Sequence, residues 1–338
     1  MIVQSEVSLK PYNTFGINVL ARYMADATSI DDLKELLADS KFASTIKMVL
    51  GGGSNVLFTG DYLGLVIRNN LKGIEKVKED ENYVWIKAAA GEVWHQLVLY
   101  CIEHNYGGIE NLSLIPGSVG AGPMQNIGAY GVELKDTFFE LEALHISSLQ
   151  LQTFNNQDCR FGYRQSIFKS SHKNQYIITS VTLQLTKRHK YNISYGAIET
   201  ELAHMGVTEL NLRNISNAVI NIRSSKLPDP AVIGNAGSFF KNPEIGRQLF
   251  YELKEQFNNI PGYELDNGNV KLAAGWLIEQ CGWKGKVIGQ TGSHKNQALV
   301  LVNYGGATGA EVLKLAQDIQ QSVKEKFTIE LEMEVNIV

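Results

Sequence analysis

Three groups of residues in this 338-residue chain have the types and spacing to do chemistry. Arg160-Phe161-Gly162-Tyr163-Arg164 places two arginines and a tyrosine within five residues, and a guanidinium can hold a carboxylate through a two-pronged hydrogen bond. Gly234-Asn235-Ala236-Gly237-Ser238-Phe239-Phe240-Lys241-Asn242-Pro243 presents a serine hydroxyl after a run of small residues. The spacing is not that of a nucleophile elbow and no Asp/His pair completes a triad, so covalent hydrolysis has little support. Near the end, Glu330, Glu332 and Glu334 alternate with apolar residues, which puts three acids on one face of an extended segment. Each group also has an ordinary reading, as a charged strand face, a capping serine and a solvated acidic edge. Taken singly, the residues leave both readings open.

Two glycine-rich segments add a stronger signal. Leu50-Gly51-Gly52-Gly53-Ser54-Asn55 follows a β-rich run, and Ile115-Pro116-Gly117-Ser118-Val119-Gly120-Ala121-Gly122-Pro123 leads into Gln125-Asn126-Ile127-Gly128-Ala129-Tyr130-Gly131. Glycines let backbone N–H groups approach a phosphate without side-chain obstruction. Neither the Rossmann nor the Walker pattern is met, because the third glycine and the Gly-Lys-Ser/Thr are missing and an apolar strand follows the first loop. Two such segments roughly 65 residues apart favour a large anionic cofactor held by backbone amides over two unrelated turns. Asn111 to Val132 runs 22 residues without a charge, close to a membrane span in length. Its five glycines, two prolines, Gln125 and Asn126 would leave polar groups unpaired in lipid, so a buried, loop-rich segment is expected.

The elements that must position these groups alternate. Ile30 to Ala38 and Trp94 to His104 have helical spacing, while Thr45 to Leu50, Val56 to Phe58, Gly64 to Ile67 and Tyr83 to Ala88 are extended, and Phe138 to Leu185 is mostly strand. Ser224 to Pro230 carries two prolines that stop a helix near Arg223, and a domain boundary is expected close to residue 227. Beyond it the pattern predicts helices over Val270 to Gln280 and Gly309 to Lys324, then a strand over Phe327 to Val338 with Phe327, Ile329, Leu331, Met333, Val335 and Ile337 on one face.

Composition narrows the classes further. A net charge of −4 without lysine or arginine blocks gives no field for nucleic acid. Three scattered cysteines, Cys101, Cys159 and Cys281, form neither a disulfide framework nor a metal clip, and the start lacks a signal-peptide pattern, so a cytoplasmic location is expected. The seven histidines include no HExxH and no compact cluster with acids, and no metal is expected.

Together the segments resemble the UDP-N-acetylenolpyruvoylglucosamine reductase (MurB) family, in its longer type I form with a tyrosine-bearing insertion. The likeness is carried in family order by Asn13-Thr14-Phe15-Gly16, Gly53-Ser54-Asn55-Val56-Leu57, Ile115 to Gly120, Gln125 to Gly131, Cys159 to Arg164, Lys226-Leu227-Pro228-Asp229-Pro230, Gly234 to Pro243 and Lys271-Leu272-Ala273-Ala274-Gly275-Trp276. The resemblance implies an α+β fold: a two-lobed FAD-binding domain of the vanillyl-alcohol-oxidase (PCMH) type over residues 1–227, completed by a C-terminal strand at 326–338, and a smaller α+β substrate-binding domain at 228–325. It implies FAD as cofactor, held by Gly51, Gly52, Gly53, Ser54, Asn55, Pro116, Gly117, Ser118, Gly120, Ala121, Gly122, Gln125, Asn126, Gly128, Ala129, Tyr130 and Gly131, with Tyr163 and Arg223 near the flavin or its ligands.

NADPH is implied as the reductant and UDP-N-acetylglucosamine enolpyruvate as the substrate, reduced to UDP-N-acetylmuramate for peptidoglycan. In that chemistry hydride reaches the methylene carbon of the enol ether and leaves charge beside the carboxylate. Arg164 matches the arginine that faces the carboxylate, Glu334 the glutamate that helps polarise it, and Ser238 the donor that protonates the carbanion. Tyr195, in Ser194-Tyr195-Gly196, matches the insertion tyrosine over the substrate diphosphate, and Lys226, Asn242 and Gln297 match further substrate contacts. A monomer without nucleic-acid or membrane partners is expected. One departure is Asn336, where the family commonly has an arginine two places after the glutamate. Competing readings are a flavin oxidase of the same fold and a non-catalytic UDP-sugar or flavin-binding regulator. Neither has a reason to keep Ser238, Tyr195 and Glu334 together.

Overall fold

The first helix begins where the sequence supplies its own cap. Ser29 accepts the Asp32 N–H through its hydroxyl while the Asp32 carboxylate accepts the N–H groups of Thr28 and Ser29, and Ile30–Ala38 follows as helix. Its Leu33 and Leu36 are buried with Ala25, Ala27, Leu65 and Ile67 of a four-stranded sheet, ordered Val3–Ser8, Leu20–Ala27, Tyr62–Asn69, Lys47–Leu50. The computed structural model describes residues 1–195 and 197–338. They divide into two compact units: Met1–Val7, Ala21–Gly52 and Leu63–Ser225 in the first, and Ser8–Leu20, Gly53–Tyr62 and Lys226–Val338 in the second.

The remainder of the first unit is built on a five-stranded antiparallel sheet in the order Leu151–Asn155, Phe138–His145, Tyr176–Thr186, Tyr83–Ala89, Ile74–Glu79. The helix Trp94–Glu103 buries Trp94, Leu97, Val98 and Cys101 in the same apolar cluster as Ile86, Leu141, Val181 and Leu183 of that sheet. At roughly 1.5–3 kcal/mol for each large apolar side chain buried, such a cluster is the main source of cohesion here. Helices Ile198–His204 and Leu212–Lys226 pair through Ile198, Leu202, Ala218, Val219 and Ile222. The uncharged Asn111 to Val132 segment forms three short 3-10 turns and one two-residue pairing, Gly128–Ala129 with Val132–Glu133, as its glycines and prolines require. Among the described residues no helix is long and apolar enough to cross a membrane.

In the second unit a four-stranded sheet runs Gly234–Ser238, Val300–Asn303, Thr291–Ser293, Val287–Ile288. The helix Gly309–Phe327 packs on Thr291–Ser293 and Val300–Asn303 and buries Val312, Leu315, Ala316, Ile319, Val323 and Phe327 along one face. A smaller sheet joins Glu244–Ile245, Val270–Leu272 and Gly262–Glu264.

Two expectations are corrected. Val270 to Gln280 is not one helix: Val270–Leu272 is a strand between two partners, and the helix starts at Ala274. Both Val270 and Leu272 are buried with Lys271 between them, a period-two pattern too short to separate from a helical one by sequence. The terminal run is not a continuous strand either. Phe327 closes the long helix, Thr328 adopts a left-handed φ of 59°, and only Asn336–Ile337 joins a ladder, parallel to Val56–Leu57. The alternation of buried Ile329, Leu331 and Val335 survives without the ladder, whereas Ile337 is exposed.

Thr308 and Glu311 form a reciprocal capping box at the start of the Gly309–Phe327 helix. Thr308→Ala should lower the unfolding free energy by about 1 kcal/mol, read from the chemical-denaturation midpoint; an unmoved midpoint would show the cap to be idle.

Candidate active site

The two glycine-rich segments meet backbone to backbone. A Cβ placed on Gly52 would lie 2.8 Å from the Gly117 Cα, one on Gly51 would strike the Ser118 hydroxyl, and one on Gly120 would lie 2.5 Å from the Ala90 Cβ. The second loop is held at this approach by the Trp94 N–H bonded to the Gly117 C=O (3.0 Å), and by Val119 N–H to Glu92 C=O (2.8 Å) and Gly120 N–H to Ala90 C=O (2.9 Å). Asn126, fully buried with a φ of 45°, donates to the Glu133 carboxylate and the Gly162 C=O and accepts from the Lys135 N–H. Its side chain is therefore a peg for the loop. Pro116 and Ala121 are exposed, and Gly128, Ala129 and Tyr130 are half-buried.

Cationic groups converge behind this loop. Arg164, in a left-handed conformation (φ 53°), donates to the Gly128 C=O at 2.8 Å and lies 5.4 Å over the Tyr163 ring. Among the described residues the Arg223 Nε is buried without a hydrogen-bond partner. Burial above all holds the Arg223 pKa below the ordinary arginine value, with the Arg164 charge acting in the same direction and Tyr130 opposing it. Burial also raises the Tyr130 hydroxyl, against the pull of Arg223. Two guanidiniums whose charges oppose one another, one with an unsatisfied buried N–H, make a setting that an anion relieves.

Second-rank residues hold the pieces in place. His95 accepts the Leu114 N–H on Nδ1 at 3.0 Å, just ahead of the Pro116 loop. The buried Asn111 donates to the carbonyls of Tyr130 and Asn192, and Asn192 in turn donates to the Gly131 C=O. This stitching sets the exposed Tyr195 against Gly131, where an added Cβ would lie 3.0 Å from the Tyr195 Cβ. Gly196 of the same motif lies outside the described residues.

The second unit brings Ser238 and Glu334 together. The exposed Ser238 ends the strand Gly234–Ser238, and the Glu334 N–H donates to the C=O of the next residue, Phe239, at 2.8 Å. Glu330 and Glu332 are exposed and paired with Lys324 and Lys241 at 2.5 Å each, while Glu334 is half-buried. The first loop reaches the same segment: Asn55 donates to the Glu334 C=O at 3.3 Å, and its own C=O accepts from the Asn336 N–H and side chain. Asn336 thus anchors the loop where the family pattern has an arginine. Gly53 has a φ of 62° and faces the Tyr12 carbonyl so closely that a side chain is excluded, and the half-buried Ser54 follows it. Asn242 accepts the Ala274 N–H at 3.0 Å and the Gln297 amide oxygen abuts Gly275, so both amides gather at the start of the helix Ala274–Gln280. Lys226 is exposed at the end of its helix.

A family model described as the C-terminal domain of UDP-N-acetylenolpyruvoylglucosamine reductase matches residues 229–338, and an FAD-binding domain matches 21–147. The chain is 52% identical to the UDP-N-acetylenolpyruvoylglucosamine reductase of Flavobacterium johnsoniae and 54% identical to that of Amoebophilus asiaticus, over the whole of both chains in each case. The chain belongs to the UDP-N-acetylenolpyruvoylglucosamine reductase family. The fold is that of the Thermus caldophilus reductase, with a TM-score of 0.68 at 24% identity over 99% of each chain. It is an FAD-dependent oxidoreductase with an FAD-binding domain and a C-terminal domain. The glycine cradle that a Cβ would fill and the unpartnered Arg223 Nε fit a dinucleotide with a diphosphate and a polar ring. His95, Asn111 and Asn235 escaped the sequence reading. Each sits in a stretch that the sequence marks for another reason, and only its hydrogen-bond partners give it a role of its own.

Gly52→Ala should separate the two loops and leave the purified reductase short of flavin, with an FAD dissociation constant raised about tenfold or more in a fluorescence titration. Undiminished flavin content would remove the close approach from the account. Burial first, then the Arg223 charge, holds His95 below its ordinary value of 6.5, and burial does the same for His294. A depressed folded pKa gives stability that is full above 6.5 and is lost as pH falls toward the folded value. Unfolding free energy should thus rise with pH through the window below 6.5, and His95→Gln should flatten that slope in denaturation curves; an unaltered slope would contradict it.

Proposed function

We propose that the chain reduces UDP-N-acetylglucosamine enolpyruvate to UDP-N-acetylmuramate with NADPH as the electron donor, acting as a cytoplasmic monomer without nucleic-acid or membrane partners. The observation that carries this reading is the backbone bond from the Glu334 N–H to the C=O of Phe239, which ties the half-buried acid's segment to the residue next to the Ser238 hydroxyl donor. Residues 1–227 with the terminal segment 326–338 would hold FAD, and 228–325 the sugar nucleotide. Within the first set Gly51 to Asn55 and Pro116 to Gly131 supply backbone, and Tyr163 and Arg223 face the ring or its ligands.

When bound, FAD carries two electrons from the nicotinamide to the methylene carbon of the enol ether. The neighbouring carbon is then left with negative charge that its carboxylate delocalises. Arg164 holds that carboxylate, and a cation already fixed by the Gly128 carbonyl needs little reorganisation, an effect worth roughly 3 kcal/mol. Glu334 polarises the carboxylate from its fixed backbone position. Ser238 delivers its proton to the charged carbon, and the hydroxyl then recovers a proton from solvent, to which it is open. Tyr195 covers the diphosphate, while Lys226, Asn242 and Gln297 bind the remainder of the sugar nucleotide.

Ser238→Ala should still bleach fully with NADPH under anaerobic conditions, yet reoxidise about 10²–10⁴-fold more slowly on the enolpyruvyl UDP-sugar in a stopped-flow experiment. Reoxidation at the normal rate would remove Ser238 from proton delivery.

A further inference from the structure

The strand that carries Ser238 contains one residue too many. Gly234 pairs with Asn303 and Asn235 with Val302, but Ser238 pairs with Val300, so Ala236 and Gly237 together oppose a single residue. Because side chains alternate between faces, one inserted residue reverses the side taken by everything after it. The bulge therefore decides where the Ser238 hydroxyl lies. Gly237 makes it possible through a left-handed φ of 70°, with open space where a Cβ would stand.

What holds the bulge is Asn235. Its side chain is 2% exposed and fully engaged: Oδ1 accepts the Gly237 N–H at 2.9 Å, and Nδ2 donates to the carbonyls of Ile233 (2.8 Å) and Pro228 (3.1 Å). Its backbone N–H donates to the Thr14 C=O at 3.0 Å. The amide thus fixes the chain on both sides of the extra residue, and an alanine at 235 would leave the Gly237 N–H and two carbonyls without it. On the far side Phe239 and Phe240 are buried, with the Phe239 N–H on the Leu299 C=O at 2.8 Å, so the strand resumes from a fixed point.

We propose that Asn235 is the positioning residue for Ser238, its buried amide setting the bulge that aims the serine hydroxyl at the carbon to be protonated. The inference rests on the reading of Ser238 as proton donor. Asn235 touches no reacting atom and acts only through the strand.

The test is a double-mutant cycle on the flavin-loaded enzyme with amide hydrogen exchange beside it. Asn235→Ala should raise the exchange rate at the Gly237 amide, bleach with NADPH at a rate close to wild type, and reoxidise on the enolpyruvyl UDP-sugar about ten- to a hundredfold more slowly. In a Ser238→Ala background the same change should add less than about twofold, because a misaimed hydroxyl matters only where there is one. Gly237→Ala, which challenges backbone conformation alone, should give the same pattern and serves if the Asn235 variant does not fold. Equal slowing by Asn235→Ala in both backgrounds, or normal reoxidation while Ser238→Ala alone is slow, overturns the inference and leaves the role of Ser238 standing. Normal reoxidation by Ser238→Ala itself overturns both.

Discussion

The terminal segment is held on both sides by hydrogen bonds that leave it no freedom to slide. The Glu334 N–H is bonded to the Phe239 C=O, the Glu334 C=O receives the Asn55 side chain, and the Asn55 C=O receives both the Asn336 N–H at 3.1 Å and its side chain at 2.9 Å. Backbone groups so placed must be satisfied, and each is worth about a kilocalorie net and more if orphaned. Asn55, the end of the serine strand and the glutamate segment are thereby locked together within the second unit. Lys241 N–H to Glu332 C=O and Val338 N–H to Leu57 C=O extend the lock in both directions. A catalytic arrangement on loops is accurate only when their ends are tied in this way.

In the first unit the organising constraint is electrostatic. Arg164 and Arg223 sit close enough for their charges to oppose each other, the Arg223 Nε has no partner among the described residues, and the Tyr130 hydroxyl is pushed up by burial. Protein interiors tolerate such a cluster where a ligand completes it. The glycine approach supplies the complementary feature, a wall made of backbone. Gly52 against Gly117 leaves no room for a methyl group, so the shape of the wall is set by close packing of the two loops.

Much of this was readable in the sequence, for physical reasons that differ by element. The helical spacing of Ile30 to Ala38 and the charge-free glycine stretch act through local geometry, and the helix and the loop-rich segment lie where expected. The helix Trp94–Glu103 keeps a clear apolar stripe. Val270 to Gln280 misled because three residues of alternation and the first turn of a helix share the same apolar positions. The acidic run Glu330, Glu332, Glu334 is uniform in sequence, and only tertiary contacts separate two lysine-paired surface acids from a half-buried third. Asn235 was visible as a letter in a motif, but a bulge is a property of two strands and cannot be read from one.

The proposed reaction is the reduction of a UDP-sugar enol ether by the bound flavin. The most direct measurement is the flavin absorbance of the purified protein under anaerobic conditions, first with NADPH and then with UDP-N-acetylglucosamine enolpyruvate. The expected result is bleaching by NADPH, recovery of the oxidised spectrum on adding the sugar nucleotide, and one UDP-N-acetylmuramate formed for each flavin reoxidised. A bleached spectrum that stays bleached in the presence of the sugar nucleotide would contradict it.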